Sequence, residues 1–265
     1  MMQTGCSMTE LHDAPTPVSH LRDLRCLVGS RPLFSVGACV CLLDQAGRLL
    51  LQRRTDNGRW GLIGGSSELG ETAVETAVRE THEEVGLLLS QEAFELLHVL
   101  SGPALYHRYP NGDEVYNVGS VFLAHLPTPE TVLHPDHESV ELRFFALHDL
   151  PEDLSGPVEL EALRVLRAHF GLPPSPAPQV ARAVPPVGRG YLLELRQLVG
   201  TRPLFSVGAA VVARDELGRV LLHRRSDTGR WGLPGVRANW VRRSSRPRGV
   251  NCSKKRVPTR MKCSS

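Results

Sequence analysis

The stretch GGSSELGETAVETAVRETHEEVGL, from Gly64 to Leu87, decides how this chain of 265 residues folds. It begins with a glycine-rich loop. No Gly or Pro interrupts the residues from Thr72 to Val85, and Gly86 follows them directly. A helix commonly ends where a Gly follows such an uninterrupted run. The stretch therefore predicts a loop, a helix over residues 72–85 and a turn.

One face of the predicted helix carries three carboxylates. With Glu80 at 0°, the geometry of an α-helix places Glu83 at about −60° and Glu84 at about +40°. Oxygen ligands without Cys or His favour Mg²⁺ or Mn²⁺ over Zn²⁺. A solvated acidic face is the usual alternative. Two neighbouring features favour a metal site: Arg79, which can orient a carboxylate, and the glycine loop, which lets the backbone approach a ligand.

A narrow apolar stripe runs along the same helix, well away from the carboxylates. Its residues recur at intervals of three or four, which is typical of a helix that packs on a sheet. They are Val74, Val78, Thr81 and Val85.

The spacing of these residues resembles the signature of the Nudix hydrolases, which cleave a nucleoside diphosphate linked to another moiety. The match covers Gly65, Glu71, Arg79, Glu80, Glu83, Glu84, Gly86 and Leu87. The resemblance implies a site for Mg²⁺ or Mn²⁺. Its ligands would be Glu80, Glu83, Glu84 and the carbonyl of Gly65, with Arg79 and Glu71 positioning them.

Two residues near the signature depart from the family pattern. Thr81 stands where an aliphatic residue is usual, and Ile63 stands where relatives usually have Pro. The Thr81 hydroxyl can bond the carbonyl of Ala77, so we expect a small stability cost and no loss of metal binding. Ile63 lacks the fixed φ of Pro, which could loosen the loop, but it touches no predicted ligand.

The general base varies among Nudix hydrolases and is often an acid on a loop beyond the metal helix. Glu138 lies on such a loop, before the last predicted strand. It is the first candidate for the base or for an additional metal ligand, and Glu84 is the second. The alternative is that Glu138 is only a solvated loop acid.

Two arginines are candidates for binding a substrate phosphate. Arg53 and Arg54 end a predicted strand beside the glycine loop. An ion pair with Asp56 is the alternative for one of them. Pro103 stands sixteen residues after Leu87, as it does in relatives that cleave ADP-ribose. The resemblance thus favours an ADP-ribose-like or nucleotide-sugar substrate, and an ordinary turn at Gly102-Pro103 is the alternative explanation for this proline.

Three tyrosines cluster around a predicted hairpin. One of them could stack on a base, but packing is the expected role of aromatic side chains here. They are Tyr106, Tyr109 and Tyr116.

The chain also contains an internal repeat. Residues 24–64 align without gaps with residues 195–235, at an offset of 171 and with 28 identities in 41 positions. We call residues 195–235 the repeat segment. It stops just before its own metal helix would begin, so the pattern indicates a tandem duplication with a truncated second copy. That copy is expected to be poorly ordered and not catalytic, or else to provide a surface for a partner or swap into another chain.

The predicted domain organisation follows from these features. We expect a disordered leader over residues 1–20, a complete domain over 21–170, a Pro-rich linker over 171–189, a truncated copy over 190–235 and a basic disordered tail over 236–265. Alternating strands and helices in the complete domain predict an α/β fold. The resemblance implies an α/β/α sandwich with a mixed sheet.

The net charge of +3 is unevenly distributed. Residues 236–265 contain ten Lys or Arg and no Asp or Glu, so the rest of the chain carries −7. Such a tail could neutralise phosphates, which gives an alternative function: binding of nucleic acid, or processing of RNA 5′ phosphates with the tail as an anchor. A frameshift could equally make the tail basic by accident, so nucleic acid is the less expected partner.

The remaining features predict a cytoplasmic protein without a membrane partner. Residues 1–20 lack the basic and apolar segments of a signal peptide, and no apolar run approaches the roughly 18 residues that span a membrane. Cys39 and Cys41 have no neighbouring Cys or His pair, so we expect buried, reduced thiols rather than a metal site. Many Nudix hydrolases are homodimers, so a homodimer is a further expectation from the resemblance.

Overall fold

The computed structural model describes residues 20–109, 111–173 and 191–237. Most of these residues belong to one mixed sheet and the helices around it. The strands of this sheet are β1 Leu33–Leu43, β2 Leu49–Arg54, β3 Trp60–Gly61, β4 Ile63–Ser66, β5 Glu95–Leu100, β6 Tyr106–Arg108, β7 Glu114–His125 and β8 Ser139–Phe145. The α-helices are α1 His20–Val28, α2 Ala73–Val85, α3 Pro157–His169 and α4 Tyr191–Val199.

Strand β1 is the centre of the sheet. It lies parallel to β7 along its whole length, from the pair Leu33–Val115 to the pair Leu43–His125. The other pairings are antiparallel: β2 and β4 pair with β1, β5 and β6 pair with β7, and β3 and β8 pair with β2. The sheet is therefore mixed, as predicted.

Both faces of β1 are buried, because a helix covers each side of the sheet. Alternate residues of the strand face opposite ways. One set packs in a core with α2 and consists of Ala38, Val40 and Leu42. The other set packs in a core with α3 and consists of Cys39, Cys41 and Leu43. The predicted three-layer α/β/α arrangement is confirmed. Cys39 and Cys41 are buried free thiols, and burial raises the pKa of Cys41 to about 12.

Helix α2 begins one residue after the predicted start and ends at the predicted residue, Val85. Thr72 is its N-cap and exchanges hydrogen bonds with Glu75 in a capping box. Gly86 ends the helix with φ of 70°, a left-handed conformation that favours glycine. The Thr81 hydroxyl donates to the Ala77 carbonyl at 2.7 Å, as expected. Ile63 is fully buried in the core beneath α2.

The helices α1 and α4 were not predicted. Each has nine residues and has buried positions four residues apart, at Leu24 and Val28 in α1 and at Leu195 and Val199 in α4. Isolated helices this short are marginal in water. They depend on tertiary packing, which the local sequence pattern does not reveal.

The repeat segment and the two residues after it form two separate two-stranded sheets instead of one large sheet. Their strands are β9 Gly208–Ala210, β10 His223–Arg224, β11 Trp231–Gly232 and β12 Gly235–Arg237. The pairs Gly208–Arg237 and Arg224–Trp231 stand 171 positions after Gly37–Ser66 and Arg53–Trp60, so the pairing registers are repeated.

The apolar side chains of the repeat segment lack a cover. Val211 and Leu221 are exposed, whereas Val40 and Leu50, 171 positions earlier, are buried. In the first half β7 and α2 provide the cover. The described residues of the second half contain no counterpart of either element.

Several predicted regions fall outside the described residues. The leader is described only at His20, which begins α1, and the linker only at residues 171–173. Of the tail, only Val236 and Arg237 are described, in β12. None of the helices in the described ranges has the length and hydrophobicity that crossing a membrane requires.

Candidate active site

The acidic site forms where α2 packs against β4. Gly65 lies beside Glu80, and a Cβ at this glycine would stand 2.6 Å from Cδ of Glu80. Any larger residue would therefore displace the carboxylate. This contact explains why a glycine stands at position 65, six residues before Glu71.

A second glycine, Gly37, faces the same backbone. It pairs with Ser66 in the register of β1 and β4. A Cβ at Gly37 would lie 3.1 Å from the carbonyl carbon of Gly65 and closer still to its oxygen. The missing side chain thus leaves room around the Gly65 carbonyl, which is the predicted backbone ligand. Sequence reasoning missed Gly37, although a glycine inside a strand pattern is a signal for close backbone approach.

Arg79 organises the carboxylates around it. Its guanidinium donates two hydrogen bonds to Glu71, at 2.7 and 3.1 Å. It donates one to Glu80 at 2.7 Å, one to Glu83 at 2.9 Å and one to the carbonyl of Ser66 at 2.9 Å. The bond from Arg79 lowers the pKa of Glu71 to about 2. This hydrogen-bond network holds Glu71, Glu80 and Glu83 around one guanidinium.

Glu84 is held on the buried side of the same helix. It is 4% exposed, accepts from the backbone N–H of Gly64 at 2.7 Å and accepts from the Gln52 amide at 2.7 Å. The Ser139 hydroxyl in turn donates to Gln52. Burial raises the pKa of Glu84 to about 8, although both hydrogen bonds oppose the rise.

The burial of Glu84 corrects one expectation. The carboxylates were expected to stand well away from the helix face that packs on the sheet, but this face includes Glu84 as well as Ala77, Thr81 and Val85. Gln52 was also missed. Its signal was a polar residue at an inward position of β2, two residues after the buried Leu50.

The carboxylates do not form a metal cage in this conformation. Among the described residues, no three His, Cys, Asp or Glu side chains are arranged so that they could hold a metal ion. In this conformation one Arg79 nitrogen bridges Glu80 and Glu83, and both oxygens of Glu84 accept from neutral donors.

The donor chemistry nevertheless fits a hard divalent cation. The carboxylates of Glu80 and Glu84 converge on the backbone of β4: Glu80 lies beside Gly65, and Glu84 accepts from the N–H of Gly64. Burial raises the pKa of Glu80, against the opposing effect of Arg79, and repulsion from Glu83 and Glu138 adds to the rise. A nearby cation would stabilise the charged form of such carboxylates. Glu83, with its side chain 54% exposed, could turn towards a cation by giving up its hydrogen bond from Arg79.

Glu138 lies on the loop that runs along the end of α2. His134 and Asp136 of this loop donate backbone N–H bonds to the carbonyls of Val85 and Glu84. The Glu138 carbonyl accepts from the N–H of Thr55, and its side chain is exposed. These backbone bonds hold the loop of Glu138 against the end of α2, and the charge of Glu138 is one of the causes that raise the pKa of Glu80.

The two arginines proposed for substrate binding have partners within the chain. Arg54 forms the ion pair with Asp56, with two hydrogen bonds of 3.0 Å. Arg53 donates to the carbonyl of Gly58 at 3.0 Å, and its guanidinium lies 6.0 Å from the centre of the Trp60 ring. Neither arginine has a hydrogen bond to the helix carboxylates among the contacts of the described residues.

Two of the three tyrosines are packing residues. Tyr106 and Tyr116 are buried, with ring centres 5.2 Å apart, in a core with α1 and α4. Tyr109 is 46% exposed at the hairpin. It is therefore the one of the three that a ligand can reach.

Gly65→Ala is expected to damage the site more than the fold. The new Cβ would push the Glu80 carboxylate aside, but a carboxylate at the end of a flexible side chain can move, so we expect a stability loss of no more than about 2 kcal/mol. We expect catalytic efficiency to fall by at least about tenfold, since small misplacements of site groups cost this much. Steady-state kinetics and thermal unfolding would measure the two effects.

Gly119→Ala is the matched control. Gly119 also lies in the sheet, but a Cβ there would meet only Cγ1 of Val158, at 3.9 Å. This variant is expected to keep both activity and stability. An equal loss of activity in the two variants would contradict the proposed importance of the contact between Gly65 and Glu80.

The fold and the site together define a three-layer α/β domain with an arginine-ordered acidic helix. A family model described as the NUDIX domain matches residues 33–167, which include this helix. The chain belongs to the NUDIX family.

Individual relatives match parts of the chain. A MutT-like protein of Streptomyces ambofaciens is 47% identical over 58 residues, which cover 22% of this chain and 38% of the relative. Dihydroneopterin triphosphate diphosphatase of Escherichia coli K12 is 33% identical over 118 residues, covering 42% of this chain and 76% of the relative. ADP-ribose pyrophosphatase of Methanocaldococcus jannaschii is 33% identical over 114 residues, covering 42% and 62%. The chain thus spans well under half the length of the first of these relatives.

Proposed function

We propose that the protein is a metal-dependent hydrolase that cleaves the pyrophosphate bond of a nucleoside diphosphate linked to another moiety. The observation that carries the proposal is the carboxylate group of α2 ordered by Arg79 beside Gly65. The relatives support it, because one is named as a dihydroneopterin triphosphate diphosphatase and another as an ADP-ribose pyrophosphatase. The complete set of carboxylates belongs to the first half of the chain.

Each residue has a defined part in the proposed mechanism. Glu80, Glu83, Glu84 and the Gly65 carbonyl would hold Mg²⁺ or Mn²⁺. When bound, such an ion neutralises charge on the phosphate oxygens. Arg79 orients Glu80 and Glu83 through its hydrogen bonds, and Glu71 fixes Arg79 in turn.

Glu138 is the proposed general base. A base must reach the attacking water and be able to accept its proton. The Glu138 side chain is exposed and close enough to Glu80 to affect its pKa. Glu84 is less suited to the role, because both its oxygens already accept hydrogen bonds and it is almost fully buried.

An ADP-ribose-like compound or a nucleotide sugar is the proposed substrate class. The similarity to ADP-ribose pyrophosphatase supports this choice, as does the position of Pro103. Pro103 begins a short 3-10 turn after Gly102, which has φ of 116°, so this proline also has a local structural role. Tyr109 is the proposed base-stacking residue, because it is exposed. Arg54 would have to exchange its ion pair with Asp56 for a substrate phosphate.

A substrate panel tests the proposed function. The full chain would be incubated with ADP-ribose, nucleotide sugars, dinucleoside polyphosphates and nucleoside triphosphates, with Mg²⁺ or with a chelator, and the products separated by chromatography. We expect nucleoside monophosphate from ADP-ribose or a nucleotide sugar only when Mg²⁺ is present. Equal hydrolysis with the chelator, or no hydrolysis of any compound with Mg²⁺ or Mn²⁺, would contradict the proposal.

A further inference from the structure

The two short helices α1 and α4 occupy equivalent places in the repeated sequence and pack against each other. α1 begins at His20 and ends at Val28, and α4 begins and ends 171 positions later, at Tyr191 and Val199. Together they form a separate core with residues of β1, β6 and β7. The same three positions are buried in each helix: His20, Leu24 and Val28 in α1, and Tyr191, Leu195 and Val199 in α4.

The aromatic contacts between the two halves occur as an exchanged pair. The ring of His20 meets that of Phe205 edge-on, at 5.6 Å. The ring of Tyr191 meets that of Phe34 edge-on, at 5.4 Å. Tyr191 stands 171 positions after His20, and Phe205 stands 171 positions after Phe34. The same contact is therefore made twice with the two halves exchanged, which is the property that defines a two-fold interface.

The backbone that carries these contacts is also repeated. Arg25 donates to the carbonyl of Gly29 at 3.1 Å, and Arg196 donates to the carbonyl of Gly200 at 3.1 Å. Gly29 has φ of 63° and Gly200 has φ of 61°. The two helix-and-turn units thus have the same local conformation and present the same surface to each other.

We propose that the α1 face of the NUDIX domain is a self-association surface, and that α4 occupies it within the same chain in place of the α1 helix of a second molecule. On this view α4 and the repeat segment form a built-in partner for the first half. The helix that makes the contact is present, although the described residues after it contain no counterpart of β7 or α2.

One difference between the helices favours α4 as the occupant. The Tyr191 hydroxyl donates to the carbonyl of Pro32 at 2.8 Å. His20 holds the same position on α1, and its Nε2 atom is buried without a hydrogen-bond partner among the described residues. In the contact between α1 and α4, the polar atom at this position of α4, the Tyr191 hydroxyl, is hydrogen-bonded. In a contact between two α1 helices, a His20 nitrogen would take its place and would be left without a partner.

The test uses the full chain with both apolar positions of α4 made acidic, Leu195→Asp with Val199→Asp. We expect the wild-type chain to be monomeric by light scattering. The variant should become a dimer, because its α1 face is uncovered and pairs with the α1 face of a second molecule. Adding Leu24→Asp should return it to a monomer. Leu193→Asp is the control, since Leu193 is 72% exposed on the same helix, and it should stay monomeric.

Hydrogen exchange keeps the test decisive if the acidic variant misfolds. The milder pair Leu195→Ala with Val199→Ala should speed exchange in residues 20–28 several-fold and leave α2 unchanged, because only the cover of α1 is weakened. Unchanged exchange in α1 would overturn the proposal. A monomeric acidic variant with a folded α2 would overturn the self-association surface. A dimeric wild type that the α4 substitutions dissociate would overturn the intramolecular contact.

Discussion

Replacing Glu83 and Glu84 together by glutamine is expected to lower kcat/KM for the best substrate by at least about a thousandfold, or about 4 kcal/mol of transition-state stabilisation. Both residues are proposed metal ligands. Glutamine keeps the shape of each side chain but removes the negative charge that a divalent ion needs. Initial rates with saturating Mg²⁺, measured on the substrate that the panel identifies, would give the change.

The same measurement needs a control for the loss of acidic charge. Glu95→Gln removes one carboxylate from an exposed position on β5, away from α2, and is expected to leave kcat/KM unchanged. Circular dichroism would verify that the double variant keeps its helices. If the folded double variant retained wild-type activity, the α2 carboxylates would have no part in catalysis and the proposed mechanism would be wrong.

The stability of the metal-free protein is expected to fall as the pH rises from about 4.5 to about 8. The pKa of Glu84 is raised from 4.5 in the unfolded chain to about 8 in the fold, chiefly by burial. The fold therefore favours the protonated carboxyl, whose stabilising effect is complete below pH 4.5 and is lost as the pH passes 8. This shift corresponds to a loss on the order of 4 kcal/mol. Urea unfolding in a chelator across this pH range would measure it.

Glu84→Gln isolates the contribution of this one group. The variant cannot titrate at position 84, so its stability should depend much less on pH over the same range. Mg²⁺ should stabilise the wild-type chain more at about pH 8 than at about pH 5, because the ion binds the deprotonated carboxylate. Parallel pH profiles for the wild type and the variant would show that Glu84 does not titrate in this range.

The prediction of the helix and of its ligands rested on local information. The boundaries of α2 followed from Thr72, Gly86 and the absence of Gly and Pro between them, and capping is a contact between residues close in sequence. Strand β2 also ends at Arg54, as the sequence indicated. Alternating apolar residues mark such strands without any knowledge of their neighbours.

The residues that contact the carboxylates could not be predicted from local sequence. Gln52 contacts Glu84 across 32 positions of sequence, and Gly37 faces Gly65 only because β1 and β4 pair in a particular register. A one-residue shift of that register would turn each side chain to the opposite face. These partners therefore depend on the assembled sheet.

The contact between α1 and α4 shows most clearly the difference between what the local sequence predicts and what the tertiary structure decides. The repeat is apparent from the amino-acid sequence alone, which also shows that only the first copy continues into the acidic helix. That the two equivalent helices meet, with Tyr191 on Phe34 and His20 on Phe205, became apparent only in three dimensions. Local patterns specify which helix carries the carboxylates, because capping and periodicity act over a few residues. Packing between distant segments decides which carboxylate is buried and what covers α1, because burial depends on the whole chain.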